Sequence, residues 1–120
     1  MRETDLDQLP VLDDEIITEL REIMEDEFTN LLQTFLGDLP LQLERLQAAF
    51  DQGDADTIFT IAHKLKSSCG SLGALRLMEL MRQIEQAGRE KNLDGVAELL
   101  DKTRVTTKQT ITDLQAKIHD

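Results

Sequence analysis

The feature that most constrains this chain is an apolar stripe: Phe28, Leu32, Phe35, Leu39, Leu43, Leu46 and Phe50, with every step three or four residues long. That spacing gathers all seven side chains on one side of a helix, and would scatter them over both faces of a strand. It predicts a long helix from about Glu27 to Phe50. Pro40 falls inside it, where it removes a backbone hydrogen bond and crowds the preceding turn. The stripe keeps its phase across Pro40, which favours one kinked helix over two that part near Gly37–Asp38.

The flanking segments follow the same period. Asp13 or Asp14 can cap a shorter first helix reaching about Met24, with Ile16, Leu20, Ile23 and Met24 on one face. Asp51-Gln-Gly-Asp54 is a turn in which Gly53 takes a left-handed conformation and Asp54 caps the next helix. That helix runs from about Ala55 to Gly70 on the stripe Ile58, Ala62, Leu65, Cys69, and Gly73 closes its exit. A fourth helix, about Leu75 to Glu90, carries Leu77, Leu80, Met81, Ile84, Ala87 and Gly88. A last one spans about Leu93 to Ile118 on Val96, Leu100, Thr107, Ile111, Leu114 and Ile118, with a break as an alternative in the Thr-rich stretch Thr103–Thr112. Short loops between long helices favour antiparallel neighbours. The expected fold is all-α: an antiparallel up-down four-helix bundle with an additional short N-terminal helix. One domain is expected over residues 1–120, with 1–12 a flexible lead-in and the bundle at about 13–118.

Composition agrees. The only aromatic residues are four Phe, so Leu, Ile, Ala and Met must fill the interior, a palette suited to helix packing. With 24 acids against 13 bases the net charge is −11, which argues against nucleic-acid binding and against docking on anionic membranes. The charge is uneven. Residues 1–30 hold 11 acids and two bases, whereas Thr57 to Met78 holds no acid but includes Lys64, Lys66 and Arg76. Cys69 is the one cysteine, so no intramolecular disulfide can form; its place on the core stripe makes it a buried small hydrophobe. The opening Met-Arg-Glu-Thr-Asp lacks the apolar core of a signal peptide, and no apolar run is long enough to span a bilayer. A cytoplasmic location is expected.

The acid-free stretch also contains His63. At about 100° per residue, His63 lies roughly 130° from the mean direction of Ile58, Ala62, Leu65 and Cys69, and so faces solvent. Phe59, Lys66, Ser67 and Gly70, at i−4, i+3, i+4 and i+7, share or border its face. A neutral imidazole, whose ordinary pKa is about 6.5, is a competent nucleophile at cellular pH. Lys66 can neutralise the oxygens of a phosphoryl group on it, and Lys64 can help to orient or screen that group. Ser67, Ser68, Gly70 and Ser71 are poor helix formers, and their small side chains leave the surface beside the imidazole low enough for a partner to reach.

The segment Ala62-His63-Lys-Leu65-Lys66-Ser67-Ser68-Cys-Gly-Ser-Leu72-Gly73-Ala74 resembles the signature of histidine phosphotransfer domains, broadly A-H-x-L-K-G-S-[AS]-x-x-[LI]-G-A. It departs at Ser67, where that family usually has Gly. Ile84-Glu-Gln-Ala-Gly-Arg89 resembles the family's L-E-x-A-x-R helix, and Phe35-Leu-Gly-Asp-Leu-Pro40 its F-x-x-D-x-P element. The resemblance implies a stand-alone phosphorelay carrier. His63 would accept a phosphoryl group from a receiver-domain Asp and pass it to another, aided by Lys66. Phe59, Lys64, Ser67, Gly70 and Ser71 would form the receiver-docking and access surface. The implied partners are the receiver domains of a hybrid sensor kinase and a response regulator. The receiver would supply Mg²⁺, and this chain would bind no cofactor.

The chain shows no Gly-rich phosphate loop, so it is not expected to phosphorylate itself from ATP. No second His or Cys sits at ligand spacing from His63, which argues against a metal site, and His119 has no comparable neighbours. A monomer is expected. The alternative is a helical adaptor that docks receivers or other signalling partners without carrying phosphate. An enzyme using His63 as general base would need a cleft and a second catalytic group, and the sequence offers neither.

Overall fold

Five α-helices and one short 3-10 turn account for nearly all of residues 6–119, the part of the chain that the computed structural model describes. The turn covers Leu6–Gln8, followed by α1 (Asp14–Met24), α2 (Glu27–Asp51), α3 (Ala55–Leu72), α4 (Leu75–Glu90) and α5 (Val96–Ile118). Among the described residues there is no strand.

The local signals explain most boundaries. Asp13 caps α1 by accepting from the Glu15 and Ile16 amides. Asp54 caps α3 through the Thr57 amide and hydroxyl, which hold the Asp54 carboxyl below its ordinary pKa. Gly53 and Gly73 both take left-handed conformations. At Gly73 space matters as well, since a Cβ there would lie 3.1 Å from Ile16 Cβ.

α2 runs unbroken through Pro40, so the helix does not split at Gly37–Asp38. Five of its seven stripe residues are buried, and Leu43 and Phe50 are half-buried. α3 buries its whole expected stripe and continues two residues further, to Leu72. α5 corrects the sequence reading at its start only. It begins at Val96 rather than Leu93, because the Val96 amide donates to the Leu93 carbonyl in the turn before it. It also does not break in the Thr-rich stretch. The hydroxyls of Thr103, Thr110 and Thr112 bond back to the carbonyls of Leu99, Thr106 and Lys108, which satisfies them without opening the helix. On α1 the buried residue is Ile17, while Ile23, expected on the apolar face, is 78% exposed.

The lead-in also differs from expectation over the part that is described; residues 1–5 lie outside it. Residues 9–13 are tied to the α3–α4 junction. Arg76 donates to the Leu9 carbonyl from its side chain and to the Pro10 carbonyl from its backbone, and the Asp13 amide donates to the Gly73 carbonyl. Leu12 is buried in the core. Arg76 therefore anchors the N-terminal segment rather than adding to the charge around His63.

The four long helices form a ring. Each packs on the next in chain order and α5 returns to α2, while α1 covers α2 and α3. The contact between α3 and α4 is the most extensive. At its centre Gly88 lets the helices approach so closely that a Cβ would sit 2.8 Å from the Phe59 amide nitrogen and 2.9 Å from the Ala55 carbonyl oxygen.

Candidate functional site

This close approach builds the site. α3 points His63 outward, with its side chain 55% exposed, as the helical wheel anticipates. Phe59, one turn earlier, lies under the imidazole with ring centroids 5.7 Å apart and planes only 13° from parallel. The Arg89 guanidinium of α4 sits 5.3 Å from the centre of the same Phe59 ring. Phe59 is thus half-buried and acts as a platform for the imidazole.

The residue that the sequence reading did not single out is Glu85. Its side chain is only 5% exposed, in the seam between α3 and α4. Oε2 accepts a hydrogen bond from His63 Nδ1, and Oε1 accepts one from Lys66 Nζ at 2.7 Å. Burial pushes the Glu85 carboxyl up, but the bonds from Lys66 and His63 outweigh burial and hold it below the ordinary carboxylate value. A signal was present. Glu85 follows Met81 by four residues and precedes Gly88 by three, within the buried face of α4.

The remaining candidates divide. Lys66 is brought to His63 through Glu85. Lys64, Ser67 and Ser71 are exposed on the outer side of α3. The Ser71 hydroxyl donates to the Ser67 carbonyl and the Ser68 hydroxyl to the Lys64 carbonyl, so both turn back onto their own helix. Gly70 has a packing contact that the sequence reading did not anticipate. It is half-buried, and a Cβ there would meet Met78 Sδ at 3.0 Å, so its small size serves the packing of α3 on α4. Cys69 is fully buried, and burial pushes its thiol pKa up to about 12, which keeps it in the unreactive thiol form. Among the described residues no cluster of His, Cys, Asp and Glu has the makings of a metal site.

An exposed helical histidine beside a lysine and a buried carboxylate suits reversible transfer of a phosphoryl group, and comparison with known proteins points the same way. The Hpt domain family matches residues 30–117. The chain belongs to the Hpt domain family. A solved structure, histidine-containing phosphotransfer protein B from Pseudomonas aeruginosa PAO1, shares the fold with a TM-score of 0.89 and 29% identity, covering 92% of this chain and 96% of that one. No curated protein matches the chain by sequence. Like other Hpt domains, this one is helical throughout, and among its described residues no helix is long and apolar enough to cross a membrane.

Proposed function

We propose that this Hpt protein is a carrier in a phosphorelay, and that Nε2 of His63 is the atom that takes the phosphoryl group from a receiver-domain aspartyl phosphate and yields it to the Asp of another receiver. The observation that carries this reading is the half-exposed imidazole held from beneath by Phe59 and from the side by Glu85, which leaves Nε2 as the ring nitrogen without a partner among the described residues. Phosphoryl transfer depends mainly on positioning and charge stabilisation. Lys66 supplies the charge: its ammonium has three donors, of which the Glu85 bond uses one.

Lys64, Ser67 and Ser71 form the low exposed ridge on which a receiver docks, and Phe59 and Gly70 shape its floor. The partners are the receivers of a hybrid sensor kinase and a response regulator, and they bring the Mg²⁺. This chain brings the nucleophile and has no ATP-dependent kinase activity of its own. The neighbour order of α2 to α5 supports an up-down arrangement. With the core enclosed by these helices, the protein works as a monomer, in the cytoplasm, as one domain.

Incubation with a phosphorylated receiver and Mg²⁺ should place acid-labile, alkali-stable phosphate on the protein, and His63→Ala should abolish it. Labelling retained by that variant would overturn the site. Absence of any transfer, with receiver binding intact, would indicate a docking adaptor instead. Lys66→Ala should slow transfer while leaving the helical circular dichroism unchanged; unaltered kinetics would remove its role.

A further inference from the structure

We infer that the Ser67 hydroxyl is a phosphoryl-binding group: it donates to an oxygen of the phosphoryl group on His63 and lengthens the life of the phosphohistidine. The inference rests on the reading of His63 as phosphoryl carrier, and deepens it. The observation behind it is a contrast among hydroxyls on one helix. α3 carries hydroxyls on Thr57, Thr60, Ser67, Ser68 and Ser71. Thr57 donates to the Asp54 carboxylate. Thr60, Ser68 and Ser71 each donate to the carbonyl four residues back, those of Asp56, Lys64 and Ser67. Ser67 alone of these has no hydrogen-bond partner among the described residues. The carbonyl that the same pattern would offer it is that of His63.

The position of this uncommitted donor gives it a use. Successive helical residues turn by about 100°, so Lys66 stands roughly 60° to one side of His63 and Ser67 roughly 40° to the other. On the first side the Lys66 ammonium is tied to Glu85 at 2.7 Å. Phe59 lies under the ring from one turn back. Glu85 takes Nδ1, so a phosphoryl group on Nε2 lies outside the α3–α4 seam, over the exposed face that Ser67 shares. Residues four apart on a helix are neighbours, with Cβ atoms about 5–6 Å apart. A phosphoryl group carries its oxygens beyond the ring edge, which brings them within reach of a side chain as short as Ser. No carboxylate of the acid-free stretch Thr57–Met78 competes for the hydroxyl.

A donor in this place acts on the rate of phosphate loss. In hydrolysis the N–P bond breaks with its electron pair returning to Nε2, and a water oxygen bonds to phosphorus. The ring is left as neutral imidazole, and dihydrogen phosphate keeps both hydrogens of the water. The transition state is loose and metaphosphate-like, so the phosphoryl oxygens carry less negative charge there than in the phosphohistidine. A hydrogen bond to those oxygens therefore favours the loaded state over the transition state and slows the loss. A carrier that must meet two receivers in turn is served by a longer-lived phosphohistidine.

The test loads the intact chain with phosphoramidate, a partner-free phosphoryl donor, removes the donor, and follows the phosphohistidine by ³¹P NMR at pH 8. Ser67→Ala should shorten the half-life about 2- to 10-fold, the range set by one lost hydrogen bond. Ser67→Thr retains the hydroxyl and should stay near wild type. Ser67→Gly should match Ser67→Ala, because both lack the hydroxyl and differ only in bulk. Ser68→Ala should change nothing, since its hydroxyl is already bonded to the Lys64 carbonyl. In concentrated urea, wild type and Ser67→Ala should lose phosphate at the same rate. Equal half-lives in folded wild type and Ser67→Ala would overturn the inference. So would faster loss in Ser67→Gly alone, which would mean that the serine shields the site by bulk, or an equal shortening in Ser68→Ala, which would trace the effect to the helix. Failure of wild-type protein to load on His63 at all would instead overturn the carrier reading, which a short half-life leaves intact.

Discussion

The two seams on opposite sides of the helix ring are built differently. Between α3 and α4 the backbones nearly touch at Gly88, and the hydrogen-bonded triad of His63, Glu85 and Lys66 ties the helices together at the surface. Between α2 and α5 a groove of about 260 Å³ opens, lined by Pro40, Leu43, Glu44, Gln47, Leu100, Thr103 and Arg104. α5 buries four Thr, Thr103, Thr106, Thr107 and Thr110, of which Thr103 lines this groove, and Thr107 Oγ1 is buried with no hydrogen-bond partner among the described residues. α3 starts from a side-chain cap at Asp54, whereas α5 starts from Gly95 without one. Local stability is rarely uniform within a domain, and here close packing coincides with the chemistry. A carboxylate can hold an imidazole and an ammonium in register only if the two helices that carry them cannot slide.

Substitutions that break or relieve these seams should therefore differ in sign. The largest effect belongs to Gly88→Ala. An alanine normally gains about 1 kcal/mol over glycine inside a helix. At Gly88 the new Cβ would meet the backbone of Phe59 and Ala55, which cannot rotate away, so the helices must part. Overpacking of this kind costs about 1–3 kcal/mol, and occasionally more. A net loss of up to about 2 kcal/mol in urea unfolding is expected, with slowed phosphoryl transfer because Glu85 retreats from His63. Gly70→Ala is the control on the same seam. Its Cβ meets only the flexible end of Met78, so stability should change little. Equal losses in the two variants would show that the seam is no tighter at Gly88 than elsewhere.

The Thr-rich helix that borders the loose seam, α5, should respond in the opposite direction. Thr107→Val removes a buried hydroxyl that has no partner and keeps the branched shape of the side chain. Because an unsatisfied buried polar group costs about 1–3 kcal/mol, a gain of about 1 kcal/mol is expected, visible as a rise of a few degrees in Tm. Transfer kinetics should not change, since Thr107 lies on α5, away from the α3–α4 seam. A loss of stability would mean that the hydroxyl has a partner in solution, such as a water molecule.

This contrast also explains what the sequence could reveal. The stripes of α2 and α3 were legible because apolar periodicity depends on one helix alone. The outward direction of His63 followed from the same geometry, and the caps at Asp13 and Asp54 are local by nature. Glu85 was not legible in that way. A lone acid beside Ile84 is by default a solvated charge, and only the approach of α3 turns it into a buried partner for two residues. Gly70 was read as clearance for a docking protein because its neighbour Met78 lies on another helix. The tie of Leu9 and Pro10 to Arg76 joins residues that are far apart in sequence, largely through backbone atoms, which carry no pattern. Periodicity identified faces, and it was silent on which faces meet.

The smallest of the expected effects tests whether the opposite side of the ring is under steric constraint at all. Gly37 lies inside α2, one turn before Pro40, is exposed, and has no atom within 4 Å of where a Cβ would stand. Gly37→Ala makes the same chemical change as Gly88→Ala and meets nothing. It should stabilise the protein by about 0.4–1 kcal/mol, chiefly by reducing the freedom of the unfolded chain. Helix propensity acts in the same direction. Urea midpoints of the two alanine variants should therefore move apart in opposite directions at unchanged slope. If Gly37→Ala is instead destabilising, then the face of α2 beside Pro40 is covered in solution, and the difference between the seams is one of occupancy rather than of packing.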